Sequence, residues 1–243
     1  MRPARAAPGW LTARAYAHRG LHGPDRPENS LPAARAAIAA GHGIECDVRL
    51  SRDDVAHVFH DRALARLTGA RGRFGDLDSA RIATLRLRAG TDAGVPRLEA
   101  LLALTGVHTP LLIEIKSDDG PRHAARLCAA IAGLLARHDG PAAIMSFDPL
   151  VCRWFARHLP AVPHGLVIGR RHRTGIMARR GLARTLARSG AQFIACDVRD
   201  LPRARAIPRR TGRPLLSWTV RTPAAWDRVA RHADQAIFEG EAR

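Results

Sequence analysis

The sequence predicts an α/β fold, a (β/α)8 TIM barrel with an extra β-hairpin after the second strand. Short apolar strands alternate with Ala-, Leu- and Arg-rich helical stretches along the whole chain, which is the pattern of repeated βα units. Eight of the strands are separated by enough residues to be parallel, the number that closes such a barrel. A further extended run, Val55–His60, follows strand Ile44–Leu50 after only Ser51–Asp54. A parallel crossover needs a dozen or more residues, so these two runs must form an antiparallel hairpin.

The other elements follow from the same periodicity and from cap residues. The first helix is predicted from the Asn29/Ser30 cap through Ala40, because Gly41 and Gly43 end it. The region Asp61–Pro96 is predicted as a loop with one short helix near Ser79–Leu87. The remaining strands are predicted at Arg14–His18, Leu111–Lys116, Ala142–Ser146, His164–Ile168, Gln192–Asp197, Leu215–Val220 and Gln235–Phe238. The remaining helices are predicted at Leu98–Thr105, Pro121–Arg137, Pro149–Arg157, Gly175–Arg188, Arg203–Thr211 and Pro223–Arg231.

The chain is predicted to be a single barrel domain over residues 1–243. No inter-domain linker or internal repeat interrupts it, and 243 residues are a usual length for one α/β barrel. An open doubly wound sheet is the alternative, but no GxGxxG follows the first strand. Hydrophobic residues at 46% and charged residues at 25% are ordinary globular usage, which excludes disordered and collagen-like chains.

The net charge of +17 favours anionic partners. All basic residues except Lys116 are arginines scattered along the chain, so a general preference for Arg explains most of the surplus. No run of consecutive basic residues resembles a nucleic-acid-binding arm. Among anionic partners, we therefore expect a phosphate-bearing small molecule, at most weak membrane-surface contact, and no specific nucleic acid.

Cysteine usage and the absence of apolar leaders indicate a cytoplasmic protein. The four cysteines form no CxxC pair and no zinc-binding spacing, so they are expected to be buried thiols in a reducing compartment. Residues 1–10 lack the apolar stretch of a secretory signal, and no run of 18 apolar residues occurs.

Two predicted strands carry acidic residues where a barrel interior normally holds bulky apolar side chains. Glu45 and Asp47 are two residues apart and project to one face of their strand, as do Glu114 and Lys116 on the next parallel strand. Three carboxylates at the barrel mouth would repel one another, and a hard divalent cation resolves that conflict. Oxygen-only ligation favours Mg2+ or Ca2+. The alternatives are outward-facing positions or ion pairs with the abundant arginines.

His18 and His60 each follow directly after an apolar strand, at the end where barrel enzymes place their chemistry. Imidazole titrates near neutral pH, so the two histidines are candidates for the general acid and base. Arg19 is placed to bind a phosphate with two donors. Lys116 is the one lysine of an Arg-rich chain, which favours a compact cation beside a phosphate.

These segments resemble the glycerophosphodiester phosphodiesterase family over about residues 15–240. The matching motifs are Ala17-His18-Arg19-Gly20, Pro27-Glu28-Asn29-Ser30, Ile44-Glu45-Cys46-Asp47-Val48, His60-Asp61, Ile113-Glu114-Ile115-Lys116, Ser146-Phe147-Asp148 and Ser217-Trp218-Thr219-Val220. The resemblance implies that Glu45, Asp47 and Glu114 bind one divalent metal and that His18 and His60 form the acid/base pair. It further implies that Arg19 and Lys116 lie near the phosphate and that Trp218 lines the substrate pocket. We interpret Asn29 and Ser30 as caps of the first helix.

Two positions depart from the family pattern. Arg221 stands where the family usually has Asn, and Ile237-Phe238-Glu239-Gly240 replaces a usual Thr-Asp before a Pro. Arg221 is therefore expected to add positive charge at the mouth.

The resemblance implies hydrolysis of glycerophosphodiesters to sn-glycerol 3-phosphate and an alcohol. A lysophospholipid-type phosphodiesterase of the same fold and a non-catalytic anion-binding barrel are the alternatives. The leaving alcohol, the preferred metal, the role of each histidine, the nucleophile (water or the glycerol 2-hydroxyl) and the oligomeric state stay open.

Overall fold

The computed structural model describes residues 6–88, 92–169, 175–201 and 212–242. They fall into two compact units. The first unit comprises Ala17–Ala142, and the second comprises Met1–Tyr16 with Ala143–Arg243. That the whole chain forms one domain stays a prediction.

The strands of the first unit centre on β2, all eight residues of which are buried. Strand β4 runs parallel to β2, and this register sets Asp47 opposite Glu114. Strand β3 runs antiparallel to β2, with Val48 opposite Val58, which confirms the predicted hairpin. The strands are β1 Tyr16–His18, β2 Gly43–Leu50, β3 Ala56–Val58 and β4 Leu111–Ile115.

The first helix of this unit begins after Ser30, whose side chain accepts a hydrogen bond from the Ala33 N–H and caps the helix. It ends before Gly41, which adopts a left-handed φ of 77° in open space. The helices of the unit are α1 Leu31–Ala39, α2 Ala65–Thr68, α3 Ser79–Ala83, α4 Leu98–Thr105 and α5 Pro121–Leu135.

The region between β3 and α4 is more ordered than predicted. Besides α3 it contains α2 and a 3-10 turn at Phe74–Asp76. Its apolar side chains pack into a small core of their own, in which the rings of Phe59 and Phe74 stack at 4.7 Å. The prediction of a loop with one helix was wrong because these elements are too short to show helical periodicity.

The second unit continues the alternation of parallel strands and helices. Its strands are β5 Ala142–Ser146, β6 His164–Ile168, β7 Phe193–Asp197, β8 Leu215–Val220 and β9 Gln235–Phe238. Its helices are α6 Pro149–His158, α7 Gly175–Ser189 and α8 Pro223–His232. Consecutive strands from β5 to β9 pair in parallel. The helix predicted at Arg203–Thr211 lies outside the described residues.

Counted along the chain, eight strands besides the antiparallel β3 follow one another with helices between them, except that the described residues between β7 and β8 form only a 3-10 turn, Val198–Asp200. The predicted (β/α)8 barrel with a hairpin after the second strand is confirmed. Within the described ranges, no helix combines the length and apolar character that crossing a membrane requires.

Candidate active site

Three buried carboxylates converge in the first unit. Glu45 and Asp47 lie on β2 and are 0% and 1% exposed, and Glu114 lies on β4 and is 8% exposed. One oxygen from each lies within 4.8 Å of the others. In the described part of the chain, no other group of three His, Cys, Asp or Glu residues meets in this way. The structure therefore brings together the predicted ligand set.

Two cations contact Asp47. The Lys116 Nζ lies 2.7 Å from Asp47 Oδ1 and also contacts Glu114, while the Arg19 Nε lies 3.1 Å from Asp47 Oδ2. Burial alone would raise the pKa of Asp47, but Lys116 and Arg19 outweigh it and hold that pKa well below its ordinary value. Asp47 is therefore a stable anion at neutral pH.

The negative charge of Glu45 is offset by fewer positive groups than that of Asp47. Its Oε2 accepts a hydrogen bond from the Arg19 backbone N–H at 3.1 Å and lies 3.8 Å from the His18 Nε2. Its Oε1 is buried and has no hydrogen-bond partner among the described residues. Burial, reinforced by the charge of Asp47, raises the pKa of Glu45 to about 8. An additional positive charge beside Oε1 would relieve this strain on the carboxylate.

A tight turn places Arg19 between these carboxylates. Arg19 itself has a left-handed φ of 58°, and Gly20 follows with a φ of 78°. A Cβ atom on Gly20 would lie 2.8 Å from the backbone carbonyl carbon of Ala33 in α1. Gly20 thus allows α1 to approach the turn, and the Arg19 carbonyl accepts a hydrogen bond from the Asn29 N–H.

Asn29 does not cap α1, so that part of the prediction was wrong. Its Nδ2 donates to Asp47 Oδ2 at 2.9 Å, and its Oδ1 accepts from the Asp47 N–H at 3.1 Å. Ser30 alone supplies the cap. Asn29 is 3% exposed, and its two hydrogen bonds orient the Asp47 carboxylate.

His60 follows β3, one residue after Phe59, whose N–H donates to the Asp47 carbonyl. The His60 Nδ1 lies 2.6 Å from Asp61 Oδ1, a hydrogen bond that orients the imidazole ring. Burial lowers the pKa of His60, and the charge of Asp47 opposes that shift. A lowered pKa keeps His60 neutral, and thus able to accept a proton, near pH 7.

Arg66, which the sequence analysis did not single out, connects the residues that contact Arg19 and His60. Arg66, on α2, donates two hydrogen bonds to Glu28 at 2.8 Å each and two to Asp61 at 2.6 and 2.8 Å. Glu28 in turn accepts from the Arg19 Nη1 at 2.6 Å. Arg66 therefore links the partner of Arg19 to the partner of His60.

Arg49 fixes the backbone around the site. This buried residue of β2 donates from Nε to the His60 carbonyl at 2.8 Å, and from Nη1 and Nη2 to Asp118 at 2.9 and 3.1 Å. It connects the segment after β3 to the segment after β4, which begins with Lys116. Arginine at this β2 position gave no signal in so Arg-rich a sequence.

The second unit holds Trp218, on β8. Its ring packs edge-on against the half-exposed Phe147 at 5.6 Å. Its Nε1 is buried without a hydrogen-bond partner among the described residues. The expectation for Arg221 changes, because the Arg221 Nη2 lies 2.9 Å from Glu239 Oε1. The two departures from the family pattern thus form one ion pair, and Glu239 offsets the charge of Arg221.

Comparisons with known proteins show the family of this chain. The model of the glycerophosphoryl diester phosphodiesterase family matches residues 18–238. The chain belongs to this family. A curated relative, "Probable glycerophosphodiester phosphodiesterase 1" of Mycobacterium tuberculosis, is 29% identical over 168 residues, which are 60% of this chain and 61% of the relative. The chain thus matches less than two thirds of the length of this relative.

Solved structures of the family share the fold over nearly the whole chain. A Silicibacter pomeroyi protein assigned to the glycerophosphoryl diester phosphodiesterases is 26% identical, with a TM-score of 0.80 over 97% of this chain and 92% of that one. An Oleispira antarctica phosphodiesterase in complex with the product sn-glycerol-3-phosphate is 22% identical, with a TM-score of 0.79 over 95% of this chain and 94% of that one.

Proposed function

We propose that this chain hydrolyses glycerophosphodiesters to sn-glycerol 3-phosphate and an alcohol. The observation that carries the proposal is the convergence of Glu45, Asp47 and Glu114 beside His18 and Arg19. Family membership and the product complex of the Oleispira antarctica protein support the same substrate class.

The carboxylates of Glu45, Asp47 and Glu114 fit a divalent cation, Mg2+ or Ca2+. Their donors are all oxygens, they approach within 4.8 Å, and the Glu45 Oε1 has no described partner. Such an ion supplies Lewis-acid stabilisation of phosphoryl oxygens when it is bound.

The side chains of the chain itself supply charge and proton transfer. Arg19 and Lys116 offset the negative charge on the phosphoryl oxygens as the new O–P bond forms and the bond to the leaving alcohol breaks. One of His18 and His60 accepts the proton of the nucleophile, either water or the glycerol 2-hydroxyl. The other donates a proton to the leaving alkoxide, so the proton balance closes. If the 2-hydroxyl attacks, water then opens the cyclic phosphate.

The histidine variants H18A and H60A test this mechanism. We expect each to lower glycerophosphocholine turnover with Mg2+ or Ca2+ by about 100-fold or more, because one proton transfer is lost. The exposed His108, changed to Ala, is the matched control and should keep wild-type turnover. Wild-type rates in both H18A and H60A would exclude the acid/base roles. Absent hydrolysis with every metal, together with steeply salt-dependent DNA binding, would favour the non-catalytic barrel.

Metal binding has a test that does not depend on activity. We expect calorimetric titration with Ca2+ or Mg2+ to show one site in the chelator-treated wild type and none in E45Q. The control D148N changes a carboxylate outside the cluster and should bind the ion as the wild type does. Equal binding by wild type and E45Q would place the ion elsewhere.

A lipid phosphodiester is a second candidate substrate, because the exposed Phe147 beside Trp218 offers an apolar surface. Parallel assays on lysophosphatidylcholine and glycerophosphocholine separate the two candidates. If the lipid is the better substrate, F147S should lower kcat/KM for the lipid more than for the soluble diester.

A further inference from the structure

The positive charge of this chain is distributed unevenly. The arginines are scattered, but the acids are not: between Asp148 and Asp197 the sequence contains nine arginines and no Asp or Glu. This segment therefore accounts for about half of the net charge of +17. It comprises β6 and the two helices α6 and α7, which pack against each other in the second unit.

The outer face of α6 combines basic and apolar side chains. Val151, Cys152 and Phe155 are buried, so the helix turns its other face outward. That face carries residues at the helical spacing of three and four: Leu150, Arg153, Trp154, Arg157 and His158. Leu150 is 54% exposed, and Trp154 stacks on His158 at 4.3 Å.

The adjacent helix α7 also exposes basic side chains. Leu182 and Leu186 are buried, whereas Arg184 and Arg188 are exposed one helical turn apart. Arg157, Arg184 and Arg188 form no ion pair with the described residues, in agreement with the absence of acids from the segment. Their charge remains available to a partner.

We propose that this face of α6 and α7 binds an anionic lipid bilayer. The arginines match the negative charge of lipid headgroups, and each basic side chain near such a surface contributes to binding. The exposed Leu150 and the partly exposed Trp154 lie among them and suit insertion at the headgroup boundary, where Trp is favoured. A nucleic acid backbone matches the same charge but gains nothing from an exposed leucine. A bilayer accounts for both the basic and the apolar side chains of this face.

Vesicle sedimentation tests the proposal. The full chain is mixed with vesicles of phosphatidylcholine alone or with added phosphatidylglycerol. We expect binding only to the anionic vesicles, and its loss at high salt. The double variant R157Q/R184Q should bind about 30-fold more weakly, since it removes two basic side chains from the surface.

The control R122Q/R137Q removes the same charge from exposed positions outside this segment and should bind nearly as the wild type. L150S should weaken vesicle binding while leaving affinity for a DNA duplex unchanged. Thermal melts by circular dichroism verify that all variants fold. Equal vesicle binding by the two double variants would overturn the assignment of this face. Tight DNA binding that R157Q/R184Q weakens, with no vesicle binding, would overturn the bilayer in favour of nucleic acid.

Discussion

Glu45 and Asp47 lie two residues apart on one strand, and their surroundings push their pKa values in opposite directions. Burial and the neighbouring Asp47 raise the pKa of Glu45 to about 8. For Asp47, Lys116 and Arg19 overcome the same burial and lower the pKa. Opposed pKa shifts of neighbouring buried groups are frequent at functional sites, because burial and fixed charges act unequally on groups held close together there.

Asn29 is expected to tune metal affinity through Asp47. N29A removes both hydrogen bonds to Asp47, so the Mg2+ or Ca2+ concentration for half-maximal activity should rise roughly 10- to 100-fold. The neighbouring S30A removes the helix cap and the hydrogen bond from Ser30 Oγ to the Pro27 carbonyl, but no contact with Asp47. It should lower the free energy of unfolding by about 1 kcal/mol and leave metal affinity unchanged. An equal metal requirement in N29A and S30A would contradict the role of Asn29.

Arg66 is expected to act as a positioning residue. R66Q breaks its link between Glu28 and Asp61, so kcat on glycerophosphocholine should fall roughly 10- to 100-fold through misplaced Arg19 and His60. R66K keeps the charge but not the fork of donors and should recover only part of kcat. The control is R126Q, because Arg126 is 51% exposed beside Asp54 and Arg66 is 50% exposed. Equal kcat in R66Q and R126Q would contradict the positioning role of Arg66.

The sequence singled out candidate site residues that lie on strands or directly after them, and it missed Arg49 and Arg66, which hold neighbouring residues by hydrogen bonds. Alternation along β2 and β4 was enough to place Glu45, Asp47 and Glu114 together. The partners of Arg66 lie 38 and 5 residues away in the chain. No local spacing reports such contacts, and α2 is too short to be recognised from periodicity.

Among the elements, the region between β3 and α4 supports His60, one of the two candidate acid/base residues. Phe59 belongs to its small core and directly precedes His60, while Arg66 and Leu67 lie on α2 within it. The packing of this region therefore holds His60 and Asp61 in position.

Substitution of Phe74 tests how much the small core of this region contributes to stability. It is 1% exposed and stacks on Phe59. F74A should lower the free energy of unfolding by about 3 to 5 kcal/mol in a urea titration, through lost burial and a residual cavity. F74L should cost less because it fills more of the space. A loss below 1 kcal/mol in F74A would show that this core contributes little to stability.

At the scale of the whole molecule, the alternation of strands and helices predicted the fold class. Each strand-helix repeat buries its apolar strand beneath its helix, and this leaves a clear pattern in the sequence. Most element ends were displaced by at most two residues, but the helix predicted near Ser79–Leu87 ends at Ala83. The strand predicted at Arg14–His18, for example, begins at Tyr16. Frayed ends depend on individual hydrogen bonds, which residue pattern does not encode.

Buried histidine is expected to make the fold sensitive to acid. Burial, with the charge of Arg97, lowers the pKa of His57 to about 4 from an ordinary 6.5. Between these pH values the unfolded chain binds a proton that the folded chain does not, so stability falls as pH falls from 6.5 to 4 and then levels off. Urea titrations at pH 7.5 and 4.5 should show a smaller loss for H57Q than for the wild type. An identical loss in both would assign the acid sensitivity to other groups.

Gly20 and Gly41 share nearly the same dihedral angle, yet they differ in how far evolution and engineering can change them. Gly41 faces open space, so asparagine, which tolerates this conformation, is an accessible replacement. Gly20 faces the backbone of Ala33 at 2.8 Å, and no single substitution creates room there. In a saturation library selected for folded protein, position 41 should therefore retain asparagine variants, whereas position 20 should return glycine alone.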